Sequence, residues 1–96
     1  MANLYLISRS CFQSKIPEKA ISRAGPNDAF MFIGDGVYSV LPSSSIFSSI
    51  KARETFALVD DAAARGLIQN IPQSHLIDFE QFVDLTLRYD RVISWY

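Results

Sequence analysis

Ninety-six residues, 49% hydrophobic and 20% charged, fall in the range of globular chains with one core and outside that of disordered ones. Nine basic residues against ten acidic ones, with no Lys/Arg cluster, argue against direct nucleic-acid binding. The lone cysteine, Cys11, excludes an internal disulfide and a Cys-rich zinc site, and fits a reducing compartment.

The start, Met1 to Ile7, lacks the basic flank and long apolar stretch of a signal peptide. No apolar run approaches the ~18–20 residues needed to cross a bilayer. The expectation is a soluble, cytoplasmic protein, away from membranes, forming a single domain over residues 1–96 with no metal or other cofactor. A core of this size is modest, so association with a partner, or with copies of itself, is an expected supplement.

In chain order, Leu4-Tyr5-Leu6-Ile7 is an apolar run that reads as a buried strand. Ser14 is placed to cap a helix carrying Pro17 in its first turn, with Ile16, Ala20 and Ala24 at fourth positions and Gly25-Pro26 as the stop. Ala29-Phe30-Met31-Phe32-Ile33, apolar without alternation, predicts a strand covered on both faces. Gly34-Asp35-Gly36 follows as a tight turn, then Val37 to Leu41. A short helix is expected between Ser43 and Lys51, where Ile46, Phe47 and Ile50 have helical spacing.

Thr55 to Val59 reads as a third strand. Asp60-Asp61 then begins a brief helix through Ala64, which Gly66 ends. Residues 67–74 read as a loop leading to a short strand at Leu76-Ile77. Asp78 with Gln81 three places on has the form of a capping box. Phe79, Phe82, Val83 and Thr86 then make one apolar stripe at i, i+3, i+4 and i+7. Arg91 to Tyr96 closes the chain as a strand. Strands alternating with helices imply a parallel sheet with right-handed crossovers.

Chemistry-bearing residues are few. Neither a Gly-x-Gly-x-x-Gly nor a P-loop occurs, so the usual nucleotide fingerprints are missing. Gly34, Asp35 and Gly36 follow a strand, where open α/β sheets place binding sites, although a tight turn needing glycine is the plainer explanation. His75 is the only histidine and reads as a partly exposed loop residue. Ser74, His75 and Asp78 make a Ser–His–Asp set in composition only, because adjacency in sequence is not triad geometry. Asp60 and Asp61 read as helix-start residues rather than metal ligands.

Cys11 is the one catalytic candidate. Arg9 and a following helix N-terminus favour a thiolate there, while the absence of a neighbouring histidine or a second cysteine favours a packing role. Trp95 and Tyr96 end an apolar run and serve either as core or as interface anchors. With Phe79 and Phe82 they are the candidate partner-interface residues.

Several segments together resemble the DsrH/TusB family of sulfur-relay proteins. Phe30 to Tyr38 is similar to that family's apolar strand followed by an Asp-Gly-Val/Ile turn. Ala64-Arg65-Gly66-Leu67 is similar to its Ala-Arg-Gly-Leu segment. Asp78 to Thr86 is similar to its Phe-Val-x-Leu-Thr helix, Ser94-Trp95 to its terminal tryptophan, and Arg9-Ser10-Cys11-Phe12 to its Arg/Lys-Ser-Pro-Phe/Trp. The match spans essentially the whole chain in one order.

The resemblance implies a flavodoxin-like three-layer α/β sandwich with a mainly parallel sheet of about five strands. It also implies a place in a heterohexamer with DsrE/TusD-like and DsrF/TusC-like subunits, the main sulfur-carrying cysteine lying on the DsrE/TusD-like partner. The Tus form supports 2-thiolation of the tRNA wobble uridine, and the Dsr form belongs to sulfur oxidation. DsrH-type members carry a cysteine in the first helix where this chain has Ala20, and Cys11 stands where relatives have proline. Those departures imply a TusB-like, non-catalytic subunit. The rival expectations are a cysteine-dependent sulfur carrier using Cys11, a subunit of a sulfur-oxidation Dsr complex, and a stand-alone ligand-binding module at the Gly34–Gly36 edge.

Overall fold

The apolar runs pair side by side in the computed structural model, which describes residues 2–96. Strands β1 (Asn3–Ile7), β2 (Ala29–Phe32), β3 (Thr55–Leu58), β4 (Leu76–Ile77) and β5 (Arg91–Trp95) form one sheet in the order β4-β3-β2-β1-β5. Every pairing is parallel. Helices α1 (Ile16–Arg23), α2 (Phe47–Ile50), α3 (Val59–Ala64) and α4 (Phe79–Arg88) lie between and around them. The result is an α/β fold consistent with the expected flavodoxin-like sandwich.

Strand order explains the layers. From β1 to β4 the chain steps one way across the sheet, and with right-handed crossovers those connections fall on one face. The step from β4 to β5 runs back past all of them, so its helix falls on the other. Ala20 of α1, Ile50 of α2 and Ala62 of α3 accordingly share one core with Tyr5, Ile7, Phe30 and Phe32. Leu85 of α4 packs in a second core with Leu4, Ala29 and Met31. All of β2 is buried, as its unbroken apolar run predicts.

Three local expectations are corrected. Ser14 is not the helix cap: Lys15 takes that position, and Ser14 Oγ accepts the Ile16 N–H at 3.1 Å from one residue further out. The segment after β2 does not end as a simple turn, because Gly34–Val40 winds into a 3-10 helix. In α4 the capping box forms as expected, with Asp78 Oδ1 accepting the Gln81 N–H at 2.8 Å and Gln81 Oε1 accepting the Asp78 N–H at 2.9 Å. Its apolar positions, however, divide between two faces. Leu85 is buried with Phe82 against the sheet, whereas Phe79 and Val83 are exposed.

Candidate functional site at the carboxyl edge of the sheet

Parallel strands deliver their outgoing loops to one edge, and here the β1–α1 loop, the 3-10 stretch, the start of α3 and the end of β5 meet. Ile33 donates its N–H to the Ile7 carbonyl at 3.0 Å, and the Ser8 N–H reaches the Trp95 carbonyl at 3.4 Å. Gly34 adopts φ +53°, the left-handed region that favours glycine. At Gly36 the reason is space: a Cβ there would lie 2.3 Å from the Ile7 carbonyl oxygen. The two glycines are thus required for different causes, and the backbone of the stretch presses directly on β1.

Charge holds the same stretch from the other side. Asp61, on the first turn of α3, accepts the Gly34 N–H at 2.7 Å through Oδ2. Arg65 donates from Nε to Asp35 Oδ1 at 3.0 Å and from Nη1 to the Asp61 carbonyl at 3.1 Å. Asp61 therefore does more than complement a helix dipole, and Arg65 fixes the Asp35 carboxylate. The sequence carries no local signal for this clamp, because Arg65, just past the end of α3, meets Asp35 from thirty residues away.

Cys11 is placed by hydroxyls. Its N–H donates to Ser39 Oγ at 3.1 Å, and its thiol lies 3.5 Å from Ser44 Oγ. Ser39 is fully buried and Ser44 nearly so, and the half-buried Cys11 packs against the α1–α3 core. Ser10 organises the rest of the loop, its Oγ accepting the Phe12 N–H at 3.1 Å. A cleft of about 440 Å³ opens beside it, lined by Ser10, Phe12, Gln13, Asp35 and Tyr38. Cys11 is not among its walls.

His75 corrects the sequence reading outright. It is buried, its Nδ1–H donates to the Thr55 carbonyl at 2.8 Å, and Phe47 meets the ring edge-on. The nitrogen that a triad carboxylate would orient is already engaged with backbone. Among the described residues no group of three or more His, Cys, Asp and Glu side chains is placed to hold a metal ion.

A second depression, about 770 Å³, lies where α3 and α4 leave adjacent strands toward opposite faces, a place that sequence reading missed. Its walls include Gln69, Asn70, Gln73 and Asp78. The Asp78 carboxylate already caps α4 there, so the pocket disfavours anions.

The aromatic candidates separate. Trp95 is half-buried, stacks on Tyr5 with centroids 6.1 Å apart, and borders the α1–α3 core, while Tyr96 is 77% exposed. Phe82 packs beneath α4 and touches Phe79 edge-on at 6.1 Å.

With this geometry in view, comparison with known proteins is decisive. Residues 9–92 match the family described as DsrH like protein. The chain belongs to that family. It is 39% identical over 71 residues to Protein TusB of Yersinia enterocolitica, covering 71% of this chain and 75% of that protein. Protein TusB of Yersinia pestis and that of Yersinia pseudotuberculosis are each 32% identical over 95 residues, covering 96% of this chain and 99% of theirs. The DsrH family match takes in the Ser10–Phe12 loop, the Gly34–Gly36 stretch, the Asp61–Arg65 clamp and α4, leaving outside only the first eight and last four residues.

Proposed function

We propose that the chain is a non-catalytic subunit of a cytoplasmic sulfur-relay complex, working beside DsrE/TusD-like and DsrF/TusC-like subunits in support of 2-thiolation of the tRNA wobble uridine. Family membership supports the relay setting. The observation that carries the non-catalytic part is Ala20. By the resemblance to DsrH-type members it takes the place of a first-helix cysteine, and it is a fully buried methyl beneath α1. No nucleophile replaces it there.

Co-expression with DsrE-like and DsrF-like chains followed by native mass spectrometry tests the reading. A defined assembly containing equal copies of the three chains is expected. A chain that ignores both partners overturns the proposal.

The rival in which Cys11 carries sulfur has one feature in its favour, a thiol at the carboxyl edge of the sheet. Its hydroxyl partners and its absence from the cleft wall speak against it. In the assembled complex, Cys11→Ser is expected to leave sulfur transfer to tRNA within about twofold of the parent, read as 2-thiouridine content. A loss of about tenfold or more with assembly intact would move the chemistry to this thiol.

A further inference from the structure

The cleft at the carboxyl edge has both of its walls held in place. Ser10, Phe12 and Gln13 come from the β1–α1 loop, where the Ser10 carbonyl accepts the Gln13 and Ser14 N–H groups at 3.2 and 3.0 Å. Asp35 and Tyr38 come from the 3-10 stretch, which Gly36 seats against the Ile7 carbonyl and Arg65 grips through Asp35. Such a site is preorganised for a ligand.

Hydrogen-bonding capacity is left over in both senses. Ser10 is 5% exposed, and its oxygen takes the Phe12 N–H, which leaves the hydroxyl hydrogen to give. Arg65 sets Nε and Nη2 both on Asp35 Oδ1, each at 3.0 Å, which leaves Oδ2 to accept. Gln13 and Tyr38 can do either. The ligand that fits carries a donor and an acceptor.

Charge and shape narrow the class. No lysine, arginine or histidine is among the walls and the one ionised group there is a carboxylate, so a phosphate is repelled. An ammonium would meet the Arg65 guanidinium along with the carboxylate it already pairs. An uncharged ligand remains. Phe12 is 55% exposed and Tyr38 half-buried, and two aromatic rings beside polar groups suit a flat heterocycle that stacks by its face and bonds by its rim. At about 440 Å³ the cleft lies near the low end of the ~300–1,000 Å³ of small-molecule sites, room for one base and its sugar.

We propose that this cleft binds an unphosphorylated nucleoside, its base stacked on Phe12 and hydrogen-bonded at its edge to Ser10 and Asp35. The inference rests on the cleft and not on the sulfur-relay reading, and its test needs no partner chain.

The full chain, labelled with nitrogen-15, is titrated with one purine and one pyrimidine nucleoside, adenosine and uridine. Amide resonances of the Ser10 loop and of the Asp35–Tyr38 stretch should shift saturably with at least one of them, with a Kd of about 1 mM or tighter. Phe12→Leu should weaken that binding about fivefold or more, and Phe12→Trp should keep it, both with an unchanged circular dichroism spectrum. Methylating the base edge, as in N6,N6-dimethyladenosine or N3-methyluridine, should weaken it about threefold or more. The 5′-monophosphate of the same nucleoside should bind no tighter. Absence of a saturable shift with either nucleoside overturns the proposal. So do shifts centred on Gln69, Asn70 and Gln73, undiminished binding by Phe12→Leu or of the methylated base, tighter binding of the monophosphate, and a short single-stranded RNA that binds about tenfold tighter than its nucleoside.

Discussion

Glycines that look alike in sequence do different work. Gly36 is held against the Ile7 carbonyl with no room for a methyl group, whereas nothing lies within 4 Å of the Cβ site at Gly66, whose constraint is its φ of +68°. Gly36→Ala must push backbone apart and is expected to cost about 2–4 kcal/mol, against about 1 kcal/mol for Gly66→Ala. Urea unfolding of the two variants beside the parent measures the difference. A turn was legible in Gly34-Asp35-Gly36, but the close approach was not, because it arises from a strand nearly thirty residues away in the chain. His75 was misread for the same kind of reason. Its partner, the Thr55 carbonyl, and its cover, Phe47, come from segments that only strand pairing brings near.

At the scale of elements, the order of strands and helices was readable wherever one residue type dominated: the apolar runs of β1 and β2, the Asp78–Gln81 box of α4, the Asp60–Asp61 start of α3. What periodicity did not disclose was which side of α4 meets the sheet. Phe79, Phe82, Val83, Leu85 and Leu87 surround so much of the helix that spacing alone permits two orientations. The choice is made where α4 ends. Tyr89 packs beside Leu85 in the core under the helix, and its hydroxyl lies 3.5 Å from Glu54 at the entrance to β3.

Burial, and next the negative charge of Glu54, raise the Tyr89 pKa above its ordinary value of 10.0. The folded state therefore holds this proton more tightly than the unfolded chain. Its contribution is complete below about pH 10 and is lost as pH climbs through the raised value. Tyr89→Phe is expected to flatten the fall in stability above pH 10, with little change near neutrality. Thermal melts across the alkaline range read this out directly.

For the molecule as a whole, the parallel sheet and its sandwich class could be anticipated from alternation of strand and helix. The placement of β5 beside β1 could not, since nothing in either segment names its neighbour. That placement decides how Trp95 serves the fold. Stacked on Tyr5 and bordering the α1–α3 core, it ties the last strand to the first. Trp95→Ala is expected to destabilise the isolated chain by about 3 kcal/mol, with Trp95→Phe recovering more than half of that. Chemical denaturation of the two variants separates this core role from one exercised only on assembly, in which both would unfold like the parent.

The pairing of β5 with β1 also bears on how the chain is made. Ala2 and Asp90 exchange hydrogen bonds across 88 positions of sequence, and all five residues of β1 find partners in β5. While a ribosome still holds everything after Tyr89, β1 has β2 on one side and nothing on the other. The nascent chain then carries an open apolar strand edge, the kind of surface that invites pairing with other chains. Closing the sheet waits until β5 is free to dock, so the interval between the pairing of β1 with β2 and the arrival of β5 is when this protein most needs protection from its neighbours.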